Sequence, residues 1–173
     1  MTKMINRILV PVDFSDPSLQ ALDYAIEFGR PFKAELIVLH VVESAYYPLV
    51  ADAFVAGYDM GLVQRELERA GREQLARLAT RLEKRRLAVR TLLSIGAASP
   101  VIVATAKKLG ADLIIMSTHG RTGLSHVLMG SVAERVVRSA ACPVLTVRAR
   151  KAVRRSRPRR SSPARRSAGR PSR

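Results

Sequence analysis

Short, nearly unbroken apolar runs alternate along the chain with stretches whose apolar residues recur every three or four positions. Arg7–Val12 (RILVPV), Glu35–Val42 (ELIVLHVV), Val89–Ile95 (VRTLLSI), Leu113–Ser117 (LIIMS) and Pro143–Val147 (PVLTV) have the length and composition of strands. Three of them are apolar almost throughout, the mark of strands covered on both faces of a parallel sheet. Between them, Ser18–Phe28 places Leu19, Leu22 and Ile26 on one helical face. Leu62–Arg86 does the same with Leu67, Ala70, Leu75, Leu78 and Leu82, which are expected to face the core. Pro100–Leu109 and Ser131–Ser139 read as shorter helices. Asp16 before Pro17 and Ser99 before Pro100 are the predicted N-caps. The sum, β-α-β-α-β-α-β-α-β, predicts an α/β fold: an open, doubly wound parallel sheet of five strands in the order 3-2-1-4-5, with helices on both faces. Tyr46–Gly61, carrying Tyr46, Tyr47, Phe54 and Tyr58, is expected to be a linker that closes over an edge of the domain.

Charge divides the chain in two. Residues 150–173 hold 11 of the 30 basic residues and none of the 14 acidic ones, so this stretch supplies most of the net +16. It is otherwise Ser, Pro, Ala and Gly with Val153, too little apolar surface to offset chain entropy, and a disordered tail is expected. Residues 1–149 form the predicted folded domain, long enough for one real core. The single cysteine, Cys142, excludes an internal disulfide and a four-cysteine zinc site, and it points to a reducing, cytoplasmic setting. No apolar run approaches the roughly 18–20 residues of a membrane span. Ile8–Val12, following Lys3 and Arg7, is too short for the apolar core of a signal peptide.

In a sheet of this kind ligands bind beyond the carboxyl ends of the strands, where the strand order reverses. Here that crevice falls between the first and fourth strands. Asp13 closes the first. The fourth runs into Ser117-Thr118-His119-Gly120-Arg121-Thr122-Gly123, and Gly130-Ser131 opens the next helix. Glycines let main-chain N–H groups approach an anion, and a helix N-terminus offers unpaired N–H donors with a positive dipole end. Ser131 adds a hydroxyl, and His119 and Arg121 add hydrogen bonds or positive charge. Gly130 is expected to sit where a backbone N–H faces a phosphate, in a place with no room for a Cβ.

Ile8-Leu9-Val10-Pro11-Val12-Asp13-Phe14-Ser15, Leu39-His40-Val41, Gly96 with Pro100, Ala111–Met116, Ser117–Gly123, Gly130–Val136 and Cys142-Pro143-Val144-Leu145 occur in an order that resembles the universal stress protein family. The resemblance covers about residues 3–148. ATP-binding members carry G-x2-G-x9-G-[S/T]; Gly120, nine intervening residues and Gly130-Ser131 match, with Ser117 in the first position. The resemblance implies a protein of stress signalling that binds ATP, with Mg²⁺ held mainly by the phosphates. It implies Asp13 at the ribose or adenine, the Val41 main chain at the adenine, and Gly120, Gly130, Ser131 and Val132 at the ribose and phosphates. Pro11, Val12, Ser15, Ser117, His119, Arg121 and Gly123 complete the implied site. It also implies a homodimer paired through Pro143–Val147.

Plainer readings stand beside these. Asp13 can simply cap the first helix. His40, inside an apolar strand, reads as a satisfied core residue, His126 as a surface residue and Cys142 as core packing. Ser117, His119 and Asp13 lack the spacing of a nucleophile with its base and orienting carboxylate, so a hydrolase is disfavoured. No Walker lysine or water-positioning group is evident, so any ATP hydrolysis is expected to be slow. The basic tail is read three ways: a solvated extension, a non-specific nucleic-acid contact through phosphates, or a contact with an anionic membrane surface. The nucleic-acid reading makes the α/β domain a dimerising scaffold.

Overall fold

Ile8, Leu9 and Val10 are consecutive and all fully buried, so both faces of their strand are covered. β1 (Arg7–Pro11) is accordingly the central strand of the sheet. The computed structural model describes residues 5–43, 59–83, 85, 87–119 and 129–148. The Tyr46–Tyr58 part of the expected linker, His126 and the basic tail lie outside these residues. After β1 come α1 (Asp16–Gly29), a 3₁₀ turn (Arg30–Phe32), β2 (Glu35–Val42), α2 (Met60–Glu83), β3 (Val89–Ile95), α3 (Ala98–Leu109), β4 (Leu113–Ser117), α4 (Ser131–Ser139) and β5 (Val144–Val147). The five strands are parallel and ordered β3-β2-β1-β4-β5, as the alternation of elements predicts.

Strand periodicity sorts the core into two layers. Ile8, Val10, Leu36, Val38, Leu113 and Ile115 face α1 and α2, where Leu22, Ile26, Leu75, Leu78 and Leu82 meet them. Leu9, Ile37, Leu39, Ile114 and Met116 face α3 and α4, against Ile102, Ala106, Ala133 and Val136. Each fully buried Leu or Ile contributes about 1.5–3 kcal/mol through apolar surface removed from water. Cys142 is half-buried and packs against the second layer.

Several boundaries differ from expectation. Ser15, not Asp16, caps α1: its Oγ accepts from the Ser18 N–H, and Asp16-Pro17 already form the first turn. Asp13 is not the cap either; its Oδ1 accepts from the N–H and Oγ of Ser15 and orients that cap. Ser99 lies inside α3, whose N-cap is Ala97 with no side-chain bond. α3 ends at Gly110, where φ of +60° favours glycine. β1 ends at Pro11 and β5 begins at Val144, each a residue inside the expected run. α2 runs from Met60 to Glu83, and only Leu75, Leu78 and Leu82 of its expected stripe are deeply buried. Leu67 is 46% exposed. The outer surface of α2 carries ion pairs, with Arg69 bridging Glu66 and Glu73.

Replacing Ser15 by Ala removes both the cap and the group that holds Asp13. Urea unfolding should register a loss of about 1 kcal/mol. An unchanged midpoint and slope would show that the Ser15 hydroxyl does not stabilise α1.

Candidate functional site

β2 outlasts β1. The ladder between them runs from Arg7 opposite Glu35 to Pro11 opposite Leu39, and one further bond joins the Val12 N–H to the Leu39 carbonyl at 2.8 Å. β2 continues to Val42, paired with β3 alone. Main-chain groups along a strand alternate between neighbours. Leu39 points its carbonyl at β1, whereas Val42 points its carbonyl at the β3 side, to the Gly96 N–H. Val41 therefore turns its N–H and C=O toward the β1 side, past the end of that strand. Among the described residues neither group has a partner.

β1 leaves the sheet through a tight bend. Phe14 adopts φ of +64°, in the left-handed region, and the Asp13 N–H donates to Ser18 Oγ at 3.3 Å. The bend is pinned from below by His40, whose Nδ1 lies 2.8 Å from the Val12 carbonyl. A carbonyl only accepts, so Nδ1 carries the hydrogen. The Phe14 ring packs on the imidazole with centroids 4.5 Å apart.

On the other side of the switch point, β4 ends in a bend held by its own side chains. Ser117 Oγ donates to the His119 carbonyl at 2.7 Å, and the Thr118 hydroxyl shares a 2.9 Å hydrogen bond with His119 Nδ1. The Thr118 N–H donates to the Val147 carbonyl, which ties the bend to β5. The Gly130 N–H donates to the Thr118 carbonyl at 2.7 Å. Its own N–H is therefore engaged within the protein. The glycine is needed for approach: a Cβ there would lie 3.2 Å from the Thr118 carbonyl oxygen. The anchor places the start of α4 beside the end of β4. The Ser131, Val132 and Ala133 N–H groups in its first turn have no acceptor among the described residues, leaving a positive helix end open.

These pieces surround one cleft of about 510 Å³. Of the residues named from the sequence, Pro11, Val12, Asp13, Val41, Ser117, His119, Gly130, Ser131 and Val132 all line it. Ser15 does not; its hydroxyl is engaged by Asp13 and Ser18. Gly120, Arg121 and Gly123 lie outside the described residues. The cleft also takes in groups not named as site residues from the sequence, among them Thr118, Met116, Ile102, Ala98, Gln74 and Leu67. The exposed Leu67 faces the cleft in place of the core. His40 is a satisfied, buried residue, as expected, and also part of the wall. No Lys or Arg is among the described lining residues. An anion there would meet main-chain N–H groups. On the outer surface of α2 the hydrogen bond from Arg69 holds Glu66 below the usual carboxylate range, and that bond raises Arg69. Among the described residues no cluster of His, Cys, Asp and Glu could hold a metal ion. No described helix is long and apolar enough to cross a membrane.

Residues 4–148 match the profile of Usp, the Universal stress protein family. The chain belongs to that family. A curated relative, the universal stress protein MJ0531 of Methanocaldococcus jannaschii, is 37% identical over 146 residues, covering 84% of this chain and 83% of the relative. The solved structure of MJ0577 from the same organism superposes with a TM-score of 0.74 at 29% identity, covering 86% of this chain and 99% of that one. A universal stress protein solved in complex with cAMP shares the fold, with a TM-score of 0.62 at 22% identity over 84% of this chain and 98% of that one.

Gly130 offers a direct probe of the site's construction. In Gly130→Val the side chain meets the Thr118 carbonyl, and the first turn of α4 must move away from β4. The variant should lose about 1–3 kcal/mol on unfolding, in the range of overpacking, and stay folded by circular dichroism. Wild-type stability would mean that the Gly130–Thr118 approach does not hold the site together.

Proposed function

We propose that the cleft binds an adenine nucleotide, ATP with Mg²⁺ carried by its phosphates, and that this universal stress protein acts as a nucleotide-responsive binding and signalling protein of the cytoplasm. One observation carries the reading: a single cleft holds two separate sets of main-chain groups that have no partner among the described residues. At one end, the adjacent N–H and C=O of Val41 form a donor–acceptor pair. That pair matches the edge of an adenine, which offers an acceptor ring nitrogen beside a donor amine. At the other end, the N–H groups of Ser131, Val132 and Ala133 suit an anion. Between them Asp13, at the bend after β1, is suited to a ribose hydroxyl. Met116, Ile102 and Val132 supply the apolar wall that a base needs. The cAMP-bound relative supports the same chemical class.

The activity proposed for the cleft is binding and signalling more than turnover, with any ATP hydrolysis slow. Among the described lining residues the main-chain N–H groups of α4 are the donors gathered at the phosphate end, so the affinity is expected to depend on main-chain geometry. Gly130→Val should therefore reduce ATP affinity at least about tenfold, a loss of about 1.4 kcal/mol, in titration calorimetry. Asp13→Ala should weaken ATP while leaving inorganic tripolyphosphate within about twofold, because its contact is to the nucleoside. Wild-type ATP affinity in both variants would defeat the assignment.

We also propose that the protein pairs as a homodimer through β5. That strand bonds to β4 on one side, and Leu145 is exposed on it. An open strand edge invites a second copy. Light scattering at micromolar concentration should give a dimer mass for the wild type and a monomer for V144D/L145D. A monomeric wild type would rule the pairing out.

A further inference from the structure

We infer that His40 is a positioning residue of the nucleotide cleft: its imidazole draws the Val12 carbonyl out of the sheet plane and so keeps the Val41 N–H available to the nucleobase. The inference rests on the nucleotide reading given above.

The register supplies the argument. The Val12 N–H bonds to the Leu39 carbonyl, which sets Val12 opposite His40. The next rung of a parallel ladder would run from the Val41 N–H to the Val12 carbonyl. That bond does not form, although nothing in the residue types forbids it. The Val12 carbonyl is instead bonded to His40 Nδ1 at 2.8 Å. An acceptor oxygen has two lone pairs, so a second donor is not excluded by number. Direction excludes it. His40 alternates with Leu36 and Val38, whose side chains enter the layer under α1 and α2. Its ring therefore lies on that side of the sheet, whereas the Val41 N–H points along the sheet toward the β1 side.

The surroundings hold the ring in place. Phe14, in its left-handed conformation, packs on it from the bend. Gly71 of α2 passes so close that a Cβ would lie 3.0 Å from His40 Cδ2 and 2.9 Å from Leu93 Cδ1. A helix glycine at this point lets α2 close over the imidazole. His40 as a whole is 7% exposed. A histidine needed only to fill the core would not account for a strand that stops one rung short of its neighbour, at the point where the cleft begins.

The test compares full-length wild type with His40→Asn, His40→Leu and His40→Met. Asn places an amide N–H near the position of Nδ1 and should preserve the geometry. Leu and Met remove the donor, and the flexible Met is the variant to use if Leu does not fold. In the ligand-free protein, hydrogen exchange at the Val41 amide should slow at least about tenfold in the Leu or Met variant as the extra rung forms, and stay at the wild-type rate in His40→Asn. ATP affinity should fall about tenfold in the Leu or Met variant, with inorganic tripolyphosphate unchanged within about twofold. Equal Val41 exchange in all the proteins would overturn the inference. So would a matching loss of ATP and tripolyphosphate, which would mark His40 as packing alone. The exchange measurement needs no nucleotide, so a wild type that binds no ATP would count against the proposed function and leave the role of His40 to be decided by exchange.

Discussion

The molecule depends on a mismatch in strand length at the switch point of its sheet. β1 ends at Pro11 while β2 runs on to Val42, and the missing rungs leave main-chain polar groups facing a cleft. A buried or half-buried donor left without a partner is costly, on the order of 1–3 kcal/mol. Folds keep such groups where something else satisfies them. The opposite wall follows the same logic: Gly130 binds the start of α4 to Thr118, and the next three N–H groups have no acceptor among the described residues. Both walls are built from backbone, and side chains act chiefly to hold that backbone in position.

The rest of the architecture serves this arrangement. The two apolar layers fix the sheet from both sides, so the strand ends sit at defined heights. Ser15, Asp13 and Ser18 lock the bend after β1 to the start of α1. Ser117 and Thr118 lock the bend after β4 to His119. Ser117 stands where the ATP-binding motif of the family has its first glycine, and its hydroxyl is turned to a carbonyl of its own bend. The described strand ends are thus positioned by contacts within the protein, an arrangement that would lower the ordering cost of binding the proposed ligand.

Much of the fold is legible in the residues. Runs such as Ile8–Val10 and Leu113–Met116 are apolar without alternation because both faces are covered, and that pattern alone gives a parallel, doubly wound sheet. The places where expectation failed share a cause: a local pattern was overridden by a neighbour distant in sequence. Asp16 before Pro17 looks like a cap, but Ser15 is in reach of Ser18 and is itself held by Asp13. Ser99 before Pro100 has the same look, yet α3 has already begun. Leu67 continues the stripe of Leu75, Leu78 and Leu82, but it faces the cleft, and the stripe alone cannot show where the core gives way to it. The candidate site was visible through Asp13, Gly130 and Ser131. The Val41 main chain entered only through the family resemblance, because main-chain pairing leaves no mark on residue type.

The central claim is that main-chain groups on two separate elements form one nucleotide site. It is tested most directly by following backbone amide resonances while ATP is added to the full-length protein. The account expects Val41, Ser131 and Val132 to shift together, saturating with one common dissociation constant, while the amides of β3 and of the outer surface of α2 stay still. Shifts confined to the ion-paired outer surface of α2, or a Val41 resonance that does not move while Ser131 does, would contradict it.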